Sequence, residues 1–336
     1  MGIDNAPFIQ LSPDVRATPC QNIVLTGRNY ETPDFRTADP SDTVQTGAYV
    51  LFGTETEPGQ EIEGATLCGG SILAFDPADP AGSLEVYASG FRNVIGLAWN
   101  EDGEMFAAVN GYDVRGSRPV KDEFDPTYRV EEGAWYGWPD YSAGLEPLTD
   151  PKFEVPDPQQ VPVYIGDELQ GPELDFLIDH EASGLEVADG SLVVGRHDWS
   201  SSPSKLDVAP EGFGDFGGQL FVTEWGDLAP PTNPLLDEVV GYQISRIDPE
   251  SGRAEPFARN DGGGPGLRAG YAGRGAGAAL RRQVRHRRGD VRRRLRHRAH
   301  QPDANPARPA ALRVSARDGR RLADHAPRWG SRHIRH

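Results

Sequence analysis

Residues 87–139 read YASGFRNVIGLAWNEDGEMFAAVNGYDVRGSRPVKDEFDPTYRVEEGAWYGWP. This block decides the fold. Val94 to Trp99 is a strand-like run, and Asn100-Glu101-Asp102-Gly103 is a turn. Glu104 to Val109 is a second run, ending at Asn110-Gly111-Tyr112-Asp113. Two short β-prone runs joined by a Gly-containing turn predict a hairpin. The aromatic-glycine cluster Trp135-Tyr136-Gly137-Trp138-Pro139 follows.

Outward from the hairpin, more short strands are expected. These are Asn22 to Thr26, Ala48 to Phe52, Ser71 to Phe75, Leu84 to Ala88, Glu186 to Val194, Gln219 to Thr223, Val239 to Ile247 and Arg253 to Phe257. Asp-Pro and Asp-Gly turns separate many of them, a pattern of sandwiches, barrels and propellers. The turns beginning at Asp76 and Asp248 lie 172 positions apart. That is close to four units of the ~40–45 residues typical of propeller blades. Residues 20–63 read as a long loop or decorated hairpin rich in Asp, Thr and Pro. No long amphipathic helix is evident, which argues against a doubly wound fold.

Composition divides the chain near Asn260. Residues 1–260 hold 14 basic and 46 acidic side chains, a net charge of −32. Residues 261–336 hold twenty Arg, five Asp, no Lys and no Glu, a net charge of +15. A basic tail of this kind suits a nucleic-acid arm. Yet it lacks any hydrophobic period and consists of the residues that GC-rich codons specify, the signature of an out-of-frame reading. An unstructured, out-of-frame tail is the reading taken. The acidic body excludes phosphate-backbone binding, which needs Lys and Arg, so no nucleic-acid partner is expected. Self-repulsion at −32 predicts a salt-adapted protein whose folding strengthens as ionic strength rises.

No run of eighteen apolar residues exists, so no membrane insertion is expected. Met1-Gly2-Ile3-Asp4 does not begin a signal peptide, and the site of action stays open. Cys20 and Cys68 are either a disulfide or two thiols, since spacing does not fix geometry. Gly262-Gly263-Gly264-Pro265-Gly266 lacks the Gly-Lys-Ser/Thr of a phosphate loop.

The 87–139 block resembles the soluble quinone-dependent sugar dehydrogenases, the glucose/sorbosone dehydrogenase family. Members read G-x-R-N-P-x-G-L-A-F, a strand ending in N-G or Q-G, then G-x-N-Y-G-W-P. The matching residues are Gly90, Arg92, Asn93, Gly96 to Ala98, Asn110-Gly111, Gly133 and Tyr136 to Pro139, with Val94 where the family has Pro. The resemblance extends over roughly residues 8–260. It implies an all-β, incomplete six-bladed β-propeller over 1–260, followed by the irregular basic tail of 261–336.

The same resemblance implies a sugar substrate, an unidentified electron acceptor, and two cofactors, pyrroloquinoline quinone and calcium. Arg92 and Asn93 match the family's cofactor-contacting pair. Gly111 and Tyr112 match the turn whose carbonyls bind calcium, with Tyr112 in place of proline. A guanidinium suits a carboxylated quinone, and carbonyl oxygens suit calcium. Each residue also has a plainer role open to it. Arg92 can pin a loop through backbone carbonyls, Gly111 can be a turn glycine, and Asp113 can bond its own turn. Trp135 and Trp138 read as core packing. Asp125 falls where the family has Asp-Glu, but Pro126 takes the Glu place, which weighs against a second calcium site.

The family's histidine base lies in a G-L-A-F-H-P type motif, which this chain does not contain. His180 and His197 precede the tail in other contexts, so no catalytic residue is assigned. The later cations that hold the quinone also have no counterpart, with Gly226 near the usual lysine place. His197-Asp198 near Ser200 does not make a hydrolase, because no G-x-S-x-G elbow is present. The expected function is a quinone-dependent sugar dehydrogenase type of protein, inactive as this chain. The alternative is a non-catalytic propeller used as a binding module.

Overall fold

The structure is a computed structural model, and it describes residues 5, 7, 14–170, 174–249 and 251–259. The expected tail, 261–336, lies outside the described residues. Every described residue lies in one compact unit, which falls within Met1–Gln283.

The fold is all-β and antiparallel. Its first strands are β1 (Ile23–Val24), β2 (Asn29–Pro33), β3 (Thr43–Gly47), β4 (Glu61–Ile62), β5 (Ile72–Ala74) and β6 (Glu85–Ala88). The central block contributes β7 (Asn93–Trp99), β8 (Met105–Asn110) and β9 (Phe124–Val130), then β10 (Val163–Ile165) and β11 (Glu168–Leu169). The last are β12 (Val193–Asp198), β13 (Pro203–Val208), β14 (Leu220–Glu224), β15 (Gln243–Ile247) and β16 (Ala254–Arg259). Three sheets have four strands: β11-β10-β2-β3, β12-β9-β8-β7 and β13-β14-β15-β16. Two pairs, β1-β4 and β5-β6, complete the set. The described residues therefore supply fewer four-stranded sheets than six blades require.

Stacking of sheets is written into β8. All its residues but Asn110 are buried, and alternate residues face opposite ways. Met105, Ala107 and Val109 pack with Ile72, Ala88, Phe91 and Tyr136. Phe106 and Ala108 pack with Leu206, Val222 and Ile247 of the following sheet. A strand buried on both faces belongs to a sheet with neighbours on both sides, as a propeller blade has. The neighbours come close. A Cβ on Gly96 of β7 would lie 2.3 Å from the carbonyl oxygen of Ser204 on β13. The β7–β8 turn is closed by Asn100, whose side chain accepts from the Glu104 N–H at 2.8 Å, with Gly103 at φ +85°.

The predicted hairpin is present to within one residue at each end. Three other expectations need correction. Ala48 to Phe52 is not a strand. Tyr49, Val50 and Phe52 are buried, and the chain turns there with Tyr49 at φ 59°. The strand lies earlier, at β3, paired with β2 across an Asp-rich loop. Glu186 to Val194 is interrupted by a 3-10 turn at Gly190–Leu192, because Asp189 caps the Ser191 N–H at 2.8 Å. The strand starts only at Val193. Finally, the Asp76 and Asp248 turns are not four repeat units apart. They close β5-β6 and β15-β16, with only the β7-β8-β9-β12 sheet added between these sheets along the chain. Residues 131–192 are the cause: they run through the Gly-Trp-Pro corner and return to pair β10 with β2.

Cys20 and Cys68 form a disulfide, which closes the open alternative. Among the described residues no helix is long and apolar enough to cross a membrane.

Candidate functional site

The ends of β7 and β8 set the site. Arg92 immediately precedes β7, Asn93 begins it, and Gly111-Tyr112 immediately follows β8. Antiparallel pairing puts Asn93 opposite Asn110. All four residues singled out in the sequence thus meet at one sheet edge. They line one cavity of about 210 Å3, together with Asn110, Asp113, Arg115, Asp125, Ser200, Ser202 and Asp227.

Hydrogen bonds fix this lining. Arg92 Nη1 donates to the Gly111 carbonyl at 2.6 Å. The Trp199 indole donates to the Tyr112 carbonyl at 2.9 Å. The Asp125 carboxylate joins two walls, accepting from Gly111 N–H at 2.9 Å and from Ser202 N–H at 2.8 Å. Arg115 forms a fork on Asp113, with Nε to Oδ1 at 2.9 Å and Nη2 to Oδ2 at 2.6 Å. Asp113 therefore pairs with a neighbouring guanidinium. Thr232 donates to Asp227. Ser200 and Ser202 hold φ of 64° and 55°, a conformation non-glycine residues rarely adopt. The Asp125 bond to Ser202 and the Asn233 bond to the Ser200 hydroxyl at 3.0 Å retain them there.

Burial raises two carboxyls beneath the turn. Asp125 is pushed up to about 6, against the Ser202 and Gly111 N–H groups and the charges of His197 and Arg92. Asp122 is pushed up to about 7, against the N–H groups of Glu123 and Ala143. Its protonated form is the one favoured by the fold. Its contribution to stability is fully present below the unfolded value near 3.8 and is lost as pH rises through about 7. Asp122→Asn removes this titration but leaves only one acceptor for the Glu123 and Ala143 N–H groups. The variant should start below the wild type near pH 4 and gain on it by about 1.4 kcal/mol per pH unit up to pH 7. Urea unfolding midpoints across that range check this. A difference independent of pH would contradict the buried-carboxyl reading.

Neither described histidine lines the cavity. His180 Nε2 lies 3.0 Å from Asp140, its ring among Trp135, Tyr141 and Phe176. His197 is enclosed between Glu224 at 2.9 Å and Thr127 at 2.9 Å.

The cofactors implied by the resemblance can be tested on this lining. A carboxylated quinone would meet two guanidiniums and three aspartates. Arg115 is already paired to Asp113. Calcium at the Gly111 and Tyr112 carbonyls would compete with the Arg92 and Trp199 donors, and would face the Arg92 positive charge. Among the described residues no three His, Cys, Asp or Glu gather as a metal site. The residues present do not fit either group as its holder. A neutral polyol fits them better, because carboxylates, amides and hydroxyls accept from and donate to hydroxyl groups.

Residues 68–170 match the family model described as Glucose / Sorbosone dehydrogenase. The match contains Arg92, Asn93, Gly111 and Tyr112, and it bears out the family resemblance over a narrower stretch than 8–260. No curated protein matches the chain in sequence. Among solved structures, the PQQ-bound aldose sugar dehydrogenase of Streptomyces coelicolor is 18% identical, with a TM-score of 0.29. That alignment covers 68% of this chain and 57% of the other. A calcium structure of a Trichoderma reesei enzyme of carbohydrate-active family AA12 is 16% identical with a TM-score of 0.33, covering 70% and 65%. The holo PQQ domain of a Coprinopsis cinerea pyranose dehydrogenase is 12% identical with a TM-score of 0.33, covering 73% and 69%. The chain thus spans 57% of the length of the first of these proteins.

Proposed function

We propose that this chain, which matches the glucose/sorbosone dehydrogenase family over residues 68–170, is a sugar-dehydrogenase-type propeller whose cavity takes a small sugar. It oxidises that sugar weakly or not at all by itself. One observation carries the reading. The residues that the family resemblance singles out, Arg92, Asn93, Gly111 and Tyr112, line a single polar cavity.

The quinone and calcium that the family resemblance implies would supply a hydride acceptor and its polarisation. We assign neither group to these residues alone, because the lining does not fit them. What the chain's own residues do is bind and orient. Asn93 and Asn110 offer amide groups, Ser200 and Ser202 hydroxyls, and Asp227 a carboxylate. Arg92 holds the Gly111 carbonyl and so keeps the turn that forms one wall. Asp125 ties that wall to the Ser200–Ser202 loop.

Hydride abstraction also needs a base for the hydroxyl proton, worth about 10²–10⁴-fold. Both described histidines are bonded elsewhere. This favours the second reading, a carbohydrate-binding propeller without turnover. Dye reduction with aldoses, added quinone and calcium is expected to show little or no activity. Robust quinone-dependent turnover would overturn the proposal, and loss of that turnover in His180→Ala or His197→Ala would locate the base.

A further inference from the structure

The Asn110–Tyr112 turn also borders a second cavity. This one measures about 20 Å3, and Arg92, Asn110, Gly111, Tyr112, Tyr128 and Trp138 are among its lining residues. Three buried polar atoms on those residues make no hydrogen bond with the protein. They are Asn110 Oδ1, the Tyr112 hydroxyl and the Trp138 indole N–H. Tyr112 is only 4% exposed and Trp138 only 5%. A buried polar group left unpaired is costly, and native interiors hold few of them. Three such atoms, carried by residues that line one small cavity, point to a shared ligand.

The chemistry of the three atoms selects that ligand. Asn110 Oδ1 only accepts, the Trp138 N–H only donates, and the Tyr112 hydroxyl does either. A cation cannot accept from the indole. An anion cannot donate to the amide oxygen. An apolar guest satisfies none of the three. A molecule that donates and accepts, and fits about 20 Å3, is required. One water needs roughly 10–15 Å3 and two to four polar partners.

We propose that this cavity is a binding site for one resident water, which accepts from Trp138 Nε1, donates to Asn110 Oδ1 and shares a hydrogen bond with the Tyr112 hydroxyl. Asn110 and Tyr112 line both this cavity and the large one, but the three bonds of the water need no ligand in the large one.

A high-resolution crystal structure of the full chain tests the site. The expected result is one ordered water within hydrogen-bond reach of all three atoms. Trp138 also lines a separate cavity of about 20 Å3 beside Cys20 and Tyr49. A water bonded to the indole from that side, a dry site, or direct protein partners for these atoms would overturn the proposal. Stability supplies a second readout through Tyr112→Phe, Trp138→Phe and the double variant. A shared water predicts that the double variant falls short of the product of the single effects on the unfolding constant by about fivefold or more. Agreement with that product within about twofold would contradict the shared water.

Discussion

Replacing Arg118 with alanine is expected to cost about 3–5 kcal/mol of folding free energy, the usual effect of removing one partner of a buried ion pair. Arg118 is fully buried. Its Nε donates to the Tyr30 hydroxyl at 3.0 Å, its Nη1 to the Pro139 carbonyl at 2.6 Å and its Nη2 to the Asp175 carbonyl at 2.8 Å. The same Nη2 lies 3.6 Å from Asp140. One side chain thus joins β2, the Gly-Trp-Pro corner and the segment before α1 (His180–Ser183). Without it, Asp140 keeps the N–H groups of Leu177 and Ile178 and the His180 ring, but loses its nearest guanidinium. Total stabilities of about 5–15 kcal/mol make such a loss severe. Urea unfolding of the variant gives the number. A change below about 1 kcal/mol would show that the guanidinium is not a structural hub.

The second large effect belongs to the Cys20–Cys68 disulfide. It links positions 48 apart in sequence, enclosing β1 to β4. In the chain-entropy view, a loop of that length restricts the unfolded state by about 4 kcal/mol at 25 °C. Reduction should therefore lower the thermal midpoint by about 8–16 °C, and Cys20→Ser with Cys68→Ser should reproduce the shift. An unchanged midpoint on reduction, with the thiols shown to be free, would mean that packing alone holds this segment.

The sequence carried the hairpin and one side of the site for a local reason. Strand runs, an Asn-Glu-Asp-Gly turn and the Gly111 turn lie within one stretch, so pairing of β7 with β8 brings Arg92 and Asn93 to Gly111 and Tyr112. The other side was not legible. Ser200, Ser202 and Asp227 reach the cavity, and Trp199 reaches the Tyr112 carbonyl, only because the β12–β13 and β14–β15 connections pack against the central sheet. No periodicity encodes that packing. Ser200 to Ser202 drew notice only as a possible hydrolase site, whereas its role is a strained wall held by Asp125. Arg118, between Ser117 and Pro119, has no pattern that marks it as buried. The Ala48 to Phe52 run misled for a related reason. Ala48, Tyr49, Val50 and Phe52 are apolar and buried in a turn, with Leu51 exposed between them, and an apolar run alone does not distinguish turn from strand.

The central claim is that Arg92, Asn93, Gly111 and Tyr112 edge a cavity that takes a small sugar. Calorimetric titration of aldoses into the full chain, beside Arg92→Ala and Asn93→Ala, tests it most directly. The predicted result is saturable binding of an aldose by the wild type, weakened about tenfold or more by each substitution, since losing a polar contact to a ligand costs about 1–3 kcal/mol. Absence of binding by every aldose, or equal affinity in all three proteins, would contradict it.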